Sequence, residues 1–298
     1  MAGRDTFSSL HPTVNFLYFG LVLFFTMCLR HPAYLAASLG CAVAYSITLS
    51  GRRAVRFSLL YMLPLLLLAA VLNPAFNHEG VTILAYLPGG NPLTLESILY
   101  GLAAAVVLAA VIVWFSCYTE VMTSDKFVYL FGRVIPALSL VLSMTLRFVP
   151  KFRAQLRAVT EAQRCLGRDV SQGSVLRRAR TGVTILSILL TWALENAIET
   201  ADSMRSRGYG LPGRTAYSIY RLDGRDRGAL LWLGFCGVYL LSGWLAGGLY
   251  WRWFPSVRHV AAAPLTVSFF LIWLGLCLTP VFINGREARV WRRLNCAM

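Results

Sequence analysis

Six apolar runs constrain this chain more than any other feature: Val14 to Leu29, Pro32 to Leu49, Phe57 to Leu72, Leu95 to Tyr118, Ala229 to Tyr250 and Pro264 to Ile283. Each is long enough, or nearly so, to cross hydrocarbon as a helix of about 20 residues. Backbone in lipid must satisfy its own N–H and C=O groups, so such runs become helices. The expected fold class is all-α: a polytopic helical membrane protein with about six transmembrane helices plus a cytoplasmic helical domain. A hydrophobic share of 57% and a mean hydropathy of +0.61 exclude an ordinary soluble domain of this length. Only Arg30 and His31 separate the first two runs, which read as a tight hairpin or one re-entrant unit. Pro64 lies inside the third run and is expected to kink it.

Arginine placement sets the expected orientation, because basic short loops stay in the cytoplasm. Of 28 basic residues only Lys126 and Lys151 are lysine, and 17 of the 28 fall between Thr119 and Gly228. Arg52, Arg53 and Arg56 place the second connection inside, and Arg286, Arg289, Arg292 and Arg293 place the tail inside. Asn73 to Thr94 carries no Lys or Arg and is expected outside; Arg30, Arg252 and Arg258 are the basic exceptions there. Both termini are therefore expected in the cytoplasm. The expected division is 1–118 for four membrane helices, 119–228 for the cytoplasmic helices, and 229–298 for two more membrane helices and the basic tail. A net charge of +15 on a chain of this hydropathy points to anionic lipid and acidic protein surfaces rather than nucleic acid.

Three helical stretches are expected between Phe127 and Arg207. Ile135 to Leu146 and Val183 to Leu194 are apolar but short for a span. Phe148, Phe152, Leu156, Val159, Gln163 and Leu166 form one face of the stretch between them, with Arg153, Arg157, Arg164 and Arg168 on another. The last stretch continues through Ala193 to Arg207 and stops at Gly208, which leaves Arg205 and Arg207 on the final turn. Glu195, Glu199 and Asp202 recur at i, i+4 and i+7, three like charges on one face that repel unless bases such as Arg153 and Arg157 lie opposite.

Catalytic and cofactor motifs are lacking. No Gly-Lys pair exists for a phosphate-binding loop, and His78-Glu79 has no second His at zincin spacing. Asp223-Gly-Arg-Asp226 reads as a solvated turn. Gly208-Tyr-Gly-Leu-Pro-Gly213 matches GxGxxG but follows a helix where a dinucleotide fingerprint follows a strand. The seven cysteines form no Cys-x-x-Cys pair and read as small apolar packers. Gly243-Trp-Leu-Ala-Gly247 is a GxxxG that reads as a packing face within the bundle. No catalytic residue, metal site or cofactor is expected.

Met144-Thr-Leu-Arg-Phe-Val-Pro150 leading to Ala162-Gln-Arg-Cys-Leu-Gly167, and Ala193-Leu-Glu-Asn-Ala197 leading to Met204-Arg-Ser-Arg-Gly-Tyr209, together resemble the transmembrane T component of energy-coupling factor transporters, a cobalt-transporter permease-like family. The likeness is specific from about Met144 to Gly210. It implies a cytoplasmic coupling-helix domain whose two helix ends each dock an ABC-type ATPase subunit through an Ala-Arg-Gly type signature. The second signature falls on Ser206, Arg207 and Gly208, beside Arg205. The first falls on Cys165, Leu166 and Gly167, beside Arg164, and departs from the pattern because Leu166 stands where the arginine belongs. Two unequal ends suit two non-identical ATPase subunits. The resemblance further implies a small substrate-binding membrane subunit as partner, a vitamin or transition metal ion as cargo, and a prokaryotic inner membrane as location. Alternative readings are a membrane enzyme acting on a phosphate-bearing lipid and an autonomous transporter. The second suffers because Glu96 is nearly the only ionisable residue in the spans.

Overall fold

The computed structural model describes residues 5–57, 60, 62–77, 80–86, 92–132, 135–169, 171, 174–212, 220–253, 258–259 and 264–295. Two compact units form: Met1–Thr123 with Tyr220–Met298, and Ser124–Ile219.

In the first unit α1 (Pro12–Cys28) and α2 (Pro32–Ser50) are separate helices joined by residues 29–31. Each begins at a His-Pro pair. The proline supplies a helical φ at a position whose N–H needs no partner, and the preceding imidazole accepts from a free backbone N–H, His11 from Thr13 and His31 from Ala33. A short α3 (Arg52–Phe57) precedes α4 (Leu63–Phe76), and Pro64 sits in the first turn of α4. Leu60 and Met62 just ahead of it are π-helical, so Pro64 follows a local change of helical geometry. A small antiparallel pair, β1 (Ile83–Tyr86) and β2 (Pro92–Thr94), leads into α5 (Leu95–Val121), capped by the Thr94 hydroxyl.

The chain of this unit resumes at α9 (Gly224–Leu245), passes through the two-residue strands β3 (Trp251–Arg252) and β4 (Arg258–His259), and ends with α10 (Pro264–Asn295). Helix α5 packs on α2 and α4, α2 on α10, and α9 on α1 and α10. Tyr18, Phe19, Phe25, Tyr45, Trp114 and Trp273 are buried at the centre, most of them meeting edge to face. Lipid is as apolar as these side chains, so close packing and buried hydrogen bonds hold the bundle. Thr26 and Ser38 hydroxyls pair at 2.9 Å, the Trp114 indole donates to Ser38 at 3.1 Å, and Trp273 donates to the Tyr34 carbonyl at 3.2 Å.

Gly243 meets the expectation of a packing face: a Cβ there would lie 2.5 Å from the Phe269 ring of α10. Gly247 instead has φ +73 and stops α9. Cys41, Cys117, Cys236 and Cys277 are buried as packers, whereas Cys165 is exposed. In the Asp223 to Asp226 segment the first three residues are exposed, and Asp226 alone departs from the expected solvated turn. Asp226 is buried, its carboxylate accepting from the backbone N–H of Asp223 at 3.1 Å and of His11 at 3.2 Å, so it caps α9 and ties α9 to the start of α1.

The second unit contains α6 (Ser124–Gly132), α7 (Pro136–Cys165) and α8 (Val175–Ser206). Two of the three expected stretches merge. Helix α7 runs unbroken through Pro150, which has no N–H to give the helix ladder. Among the described residues, five helices are long and apolar enough to cross a membrane: Pro32–Ser50, Leu95–Val121, Val175–Ser206, Gly224–Leu245 and Pro264–Val290. The first and third expected runs form shorter helices, and α8, read as too short, qualifies. Counting only the uninterrupted apolar letters Val183 to Leu194 missed that the helix continues a turn or more on either side.

Candidate functional site: two glycine-stopped helix ends

Helices α7 and α8 end in the same backbone geometry. At the first end Leu166 has φ −82 and ψ 9, and at the second Arg207 has φ −86 and ψ 10. The next residue is glycine in the left-handed region, Gly167 at φ +73 and Gly208 at φ +80, where a side chain is disfavoured. Gly167 N–H donates to the Arg164 carbonyl and Arg168 N–H to the Gln163 carbonyl, both at 3.0 Å. Gly208 N–H donates to Arg205 and Tyr209 N–H to Met204, again at 3.0 Å. These bonds satisfy carbonyls that the helix leaves open. They place Arg164, Cys165, Leu166 and Gly167 in the same register as Arg205, Ser206, Arg207 and Gly208.

The stop by itself marks nothing, since α9 ends the same way, Gly248 N–H reaching the Gly243 carbonyl at 3.0 Å. What sets the two ends apart is what they present. Leu166 is 69% exposed, a large apolar side chain at a solvated helix end. Arg205 and Arg207 are exposed and make no ion pair among the described residues. At the first end Arg164 Nε lies 3.4 Å from Asp169 Oδ2, the one ion pair among the described residues. The Ser171 backbone N–H, with help from the Ser171 hydroxyl, holds Asp169 below its ordinary pKa and so keeps it charged. The first end is thus apolar and partly neutralised, and the second carries two unpaired cations.

The expected charge pairing across α7 and α8 does not form in the chain alone. Arg153, Arg157, Glu195, Glu199 and Asp202 are exposed, and none is ion-paired among the described residues. The two helices meet instead at Lys151, whose ammonium donates to Asn196 Oδ1 at 2.6 Å and lies 5.5 Å from the Trp192 ring, with Phe152 edge-on to Trp192 at 5.3 Å. Sequence reading missed this contact, although Lys151 was conspicuous as one of two lysines in a chain that otherwise uses arginine.

Along α8, Val183, Leu186, Leu190, Leu194 and Ile198 are each at least 60% exposed and recur at steps of three and four, so they form one uncovered apolar stripe. Val141, Val149, Phe152 and Leu156 are exposed on α7. Among the described residues no group of three metal-capable side chains exists. His78 and Glu79 lie outside the described residues.

The chain is 35% identical over 112 residues to the energy-coupling factor transporter transmembrane protein EcfT of Lacticaseibacillus paracasei, which covers 37% of this chain and 40% of that protein. It is 38% identical over 86 residues to EcfT of Lactobacillus helveticus, covering 28% and 31%, and 34% identical over 112 residues to EcfT of Exiguobacterium sibiricum, covering 37% and 42%. Each match spans less than half of the relative's own length. A family model described as cobalt transport protein, CbiQ, matches residues 7–217, a stretch that includes both helix ends, and the chain therefore belongs to the CbiQ family.

Proposed function

We propose that this chain is the transmembrane coupling subunit of an ATP-driven energy-coupling factor importer. In this reading each of the two ends of α7 and α8 docks an ABC-type ATPase subunit, and the chain itself neither hydrolyses ATP nor binds the cargo. The observation that carries the reading is the pair of register-matched, glycine-stopped ends with unequal chemistry, one apolar at Leu166 and one cationic at Arg207. Such a pair fits two non-identical ATPase subunits. The exposed stripes on α7 and α8 are too extensive for bare surface and suit lipid together with a small substrate-binding membrane subunit. ATPase closure would move the docked ends, and the stiff helices would pass that motion to the stripes. Both termini lie in the cytoplasm of a prokaryotic inner membrane, and the cargo is a vitamin or a transition metal ion.

The test is co-purification of the ATPase subunits with membrane-extracted chain. A charge-assisted contact at Arg207 contributes about 1.5 to 3 kcal/mol, so Arg207→Glu should weaken one ATPase contact by about tenfold or more. Leu166→Glu should weaken the other contact, and Leu166→Arg should be far milder. Full ATPase recovery with Arg207→Glu would refute docking at the second end.

A further inference from the structure

One end of the first unit holds a cavity of about 410 Å³, within the size range of ligand sites. It lies where α1 ends, α2 begins, α9 ends and α10 begins, with Leu29, Tyr34, Leu249, Val267 and Phe270 among its walls. Tyr34 and His31, two of its polar wall residues, are already engaged within the chain. The Tyr34 hydroxyl donates to the Thr266 carbonyl at 3.2 Å, the Tyr34 carbonyl accepts from Trp273, and the His31 ring accepts from Ala33 N–H while meeting Trp251 edge-on at 4.4 Å. The rest of the lining is mostly apolar, so the walls favour an apolar occupant.

The surroundings say which one. Tyr34, Tyr250, Trp251 and Trp253 gather at this end, and Tyr and Trp concentrate at the headgroup level of a bilayer. Leu29 and Tyr34 are buried, whereas Ala33, Tyr250 and Val267 are exposed, so the cavity has an apolar depth and an open rim. Arg30, between wall residues Leu29 and His31, is exposed and has no ion-pair partner among the described residues.

We propose that this cavity is a phospholipid site, one acyl chain lying in the apolar depth and the phosphate resting at the rim beside Arg30. An apolar cavity left empty forfeits dispersion contacts along its lining, and the bilayer supplies the hydrocarbon that restores them.

The full chain in detergent, titrated with phosphatidylglycerol and with diacylglycerol of the same acyl chains under native mass spectrometry, tests both parts. Phosphatidylglycerol should bind about tenfold better, the factor one charge-assisted contact supplies, and Arg30→Gln should bring it down to diacylglycerol. Ala33→Trp and Val267→Trp, at exposed wall positions on α2 and α10, should remove both ligands while melting and elution stay unchanged. Should either variant fail to fold, an acyl chain carrying bromine should quench tryptophan fluorescence in the wild type, and Trp251→Phe should remove the largest part of that quenching. Equal binding of the two lipids overturns the phosphate contact. Unchanged binding in folded Trp variants, or quenching indifferent to Trp251→Phe, overturns the cavity as the site.

Discussion

Replacing Gly243 with Ala tests whether the GxxxG of α9 is used within the chain. A Cβ at Gly243 would sit 2.5 Å from Cε1 and Cζ of Phe269 and 3.0 Å from Cδ1, whereas carbon atoms in favourable contact lie about 3.5 to 4.0 Å apart. The ring cannot simply step aside. Phe269 is buried and packs on Tyr239 with centroids 4.7 Å apart, so relief requires about 1 Å of separation between α9 and α10. Overpacking of this kind costs roughly 1 to 3 kcal/mol. Alanine also gains about 0.8 to 1.0 kcal/mol of helix propensity over glycine, which hides part of that cost. Gly234, on the same helix with nothing within 4 Å of its Cβ position, supplies the correction. Gly234→Ala should raise the melting temperature of the purified chain, and Gly243→Ala should fall below it by the overpacking term. Adding Phe269→Leu to Gly243→Ala should recover more than the single effects sum to. Equal shifts for the two alanine variants, or a change of oligomeric state with Gly243→Ala and no change in melting, would refute intrachain packing.

Other outcomes can be checked alongside. The Gln163 Oε1 is buried without a hydrogen-bond partner, so Gln163→Met, which installs the residue found at the matching position Met204, should stabilise the second unit by about 1 to 3 kcal/mol, read by hydrogen exchange of α7. Burial lowers the pKa of His11 below its usual 6.5, with Asp226 opposing in part. The unfolded chain then binds more protons, so this contribution is present above about pH 6.5 and is lost as pH falls through the lowered folded value. Thermal melts should fall more between pH 7.5 and 5.5 for the wild type than for His11→Asn, and parallel pH profiles would disprove the assignment. In a cysteine-free background, a single Cys in Asn73 to Thr94 should react with an impermeant thiol reagent on intact cells and one in Ser171 to Arg180 should not. The opposite pattern reverses the orientation.

Local chemistry made much of this protein readable from its letters. Apolar runs became helices because no other backbone arrangement satisfies itself in lipid. The two helix ends were legible because a glycine after a helical run favours a left-handed stop, and Gly167 and Gly208 both take it. Even the divergence at Leu166 could be seen in advance, because it is a matter of residue identity at a position that backbone hydrogen bonding sets.

Tertiary structure decided what depends on distant partners. Pro64 follows π-helical residues at the head of α4 whereas Pro150 passes through α7 without a break, and the letter proline does not tell the two apart. Asp226 is buried because His11, 215 residues away in sequence, offers its N–H. The α7–α8 contact rests on Lys151 with Asn196 and Trp192, whereas the charge stripes face outward. Periodicity fixes which residues share a helix face, because that follows from 3.6 residues per turn. Which face meets which neighbour is a contest among whole-helix packings, and it is settled only when the folded chain brings remote residues together.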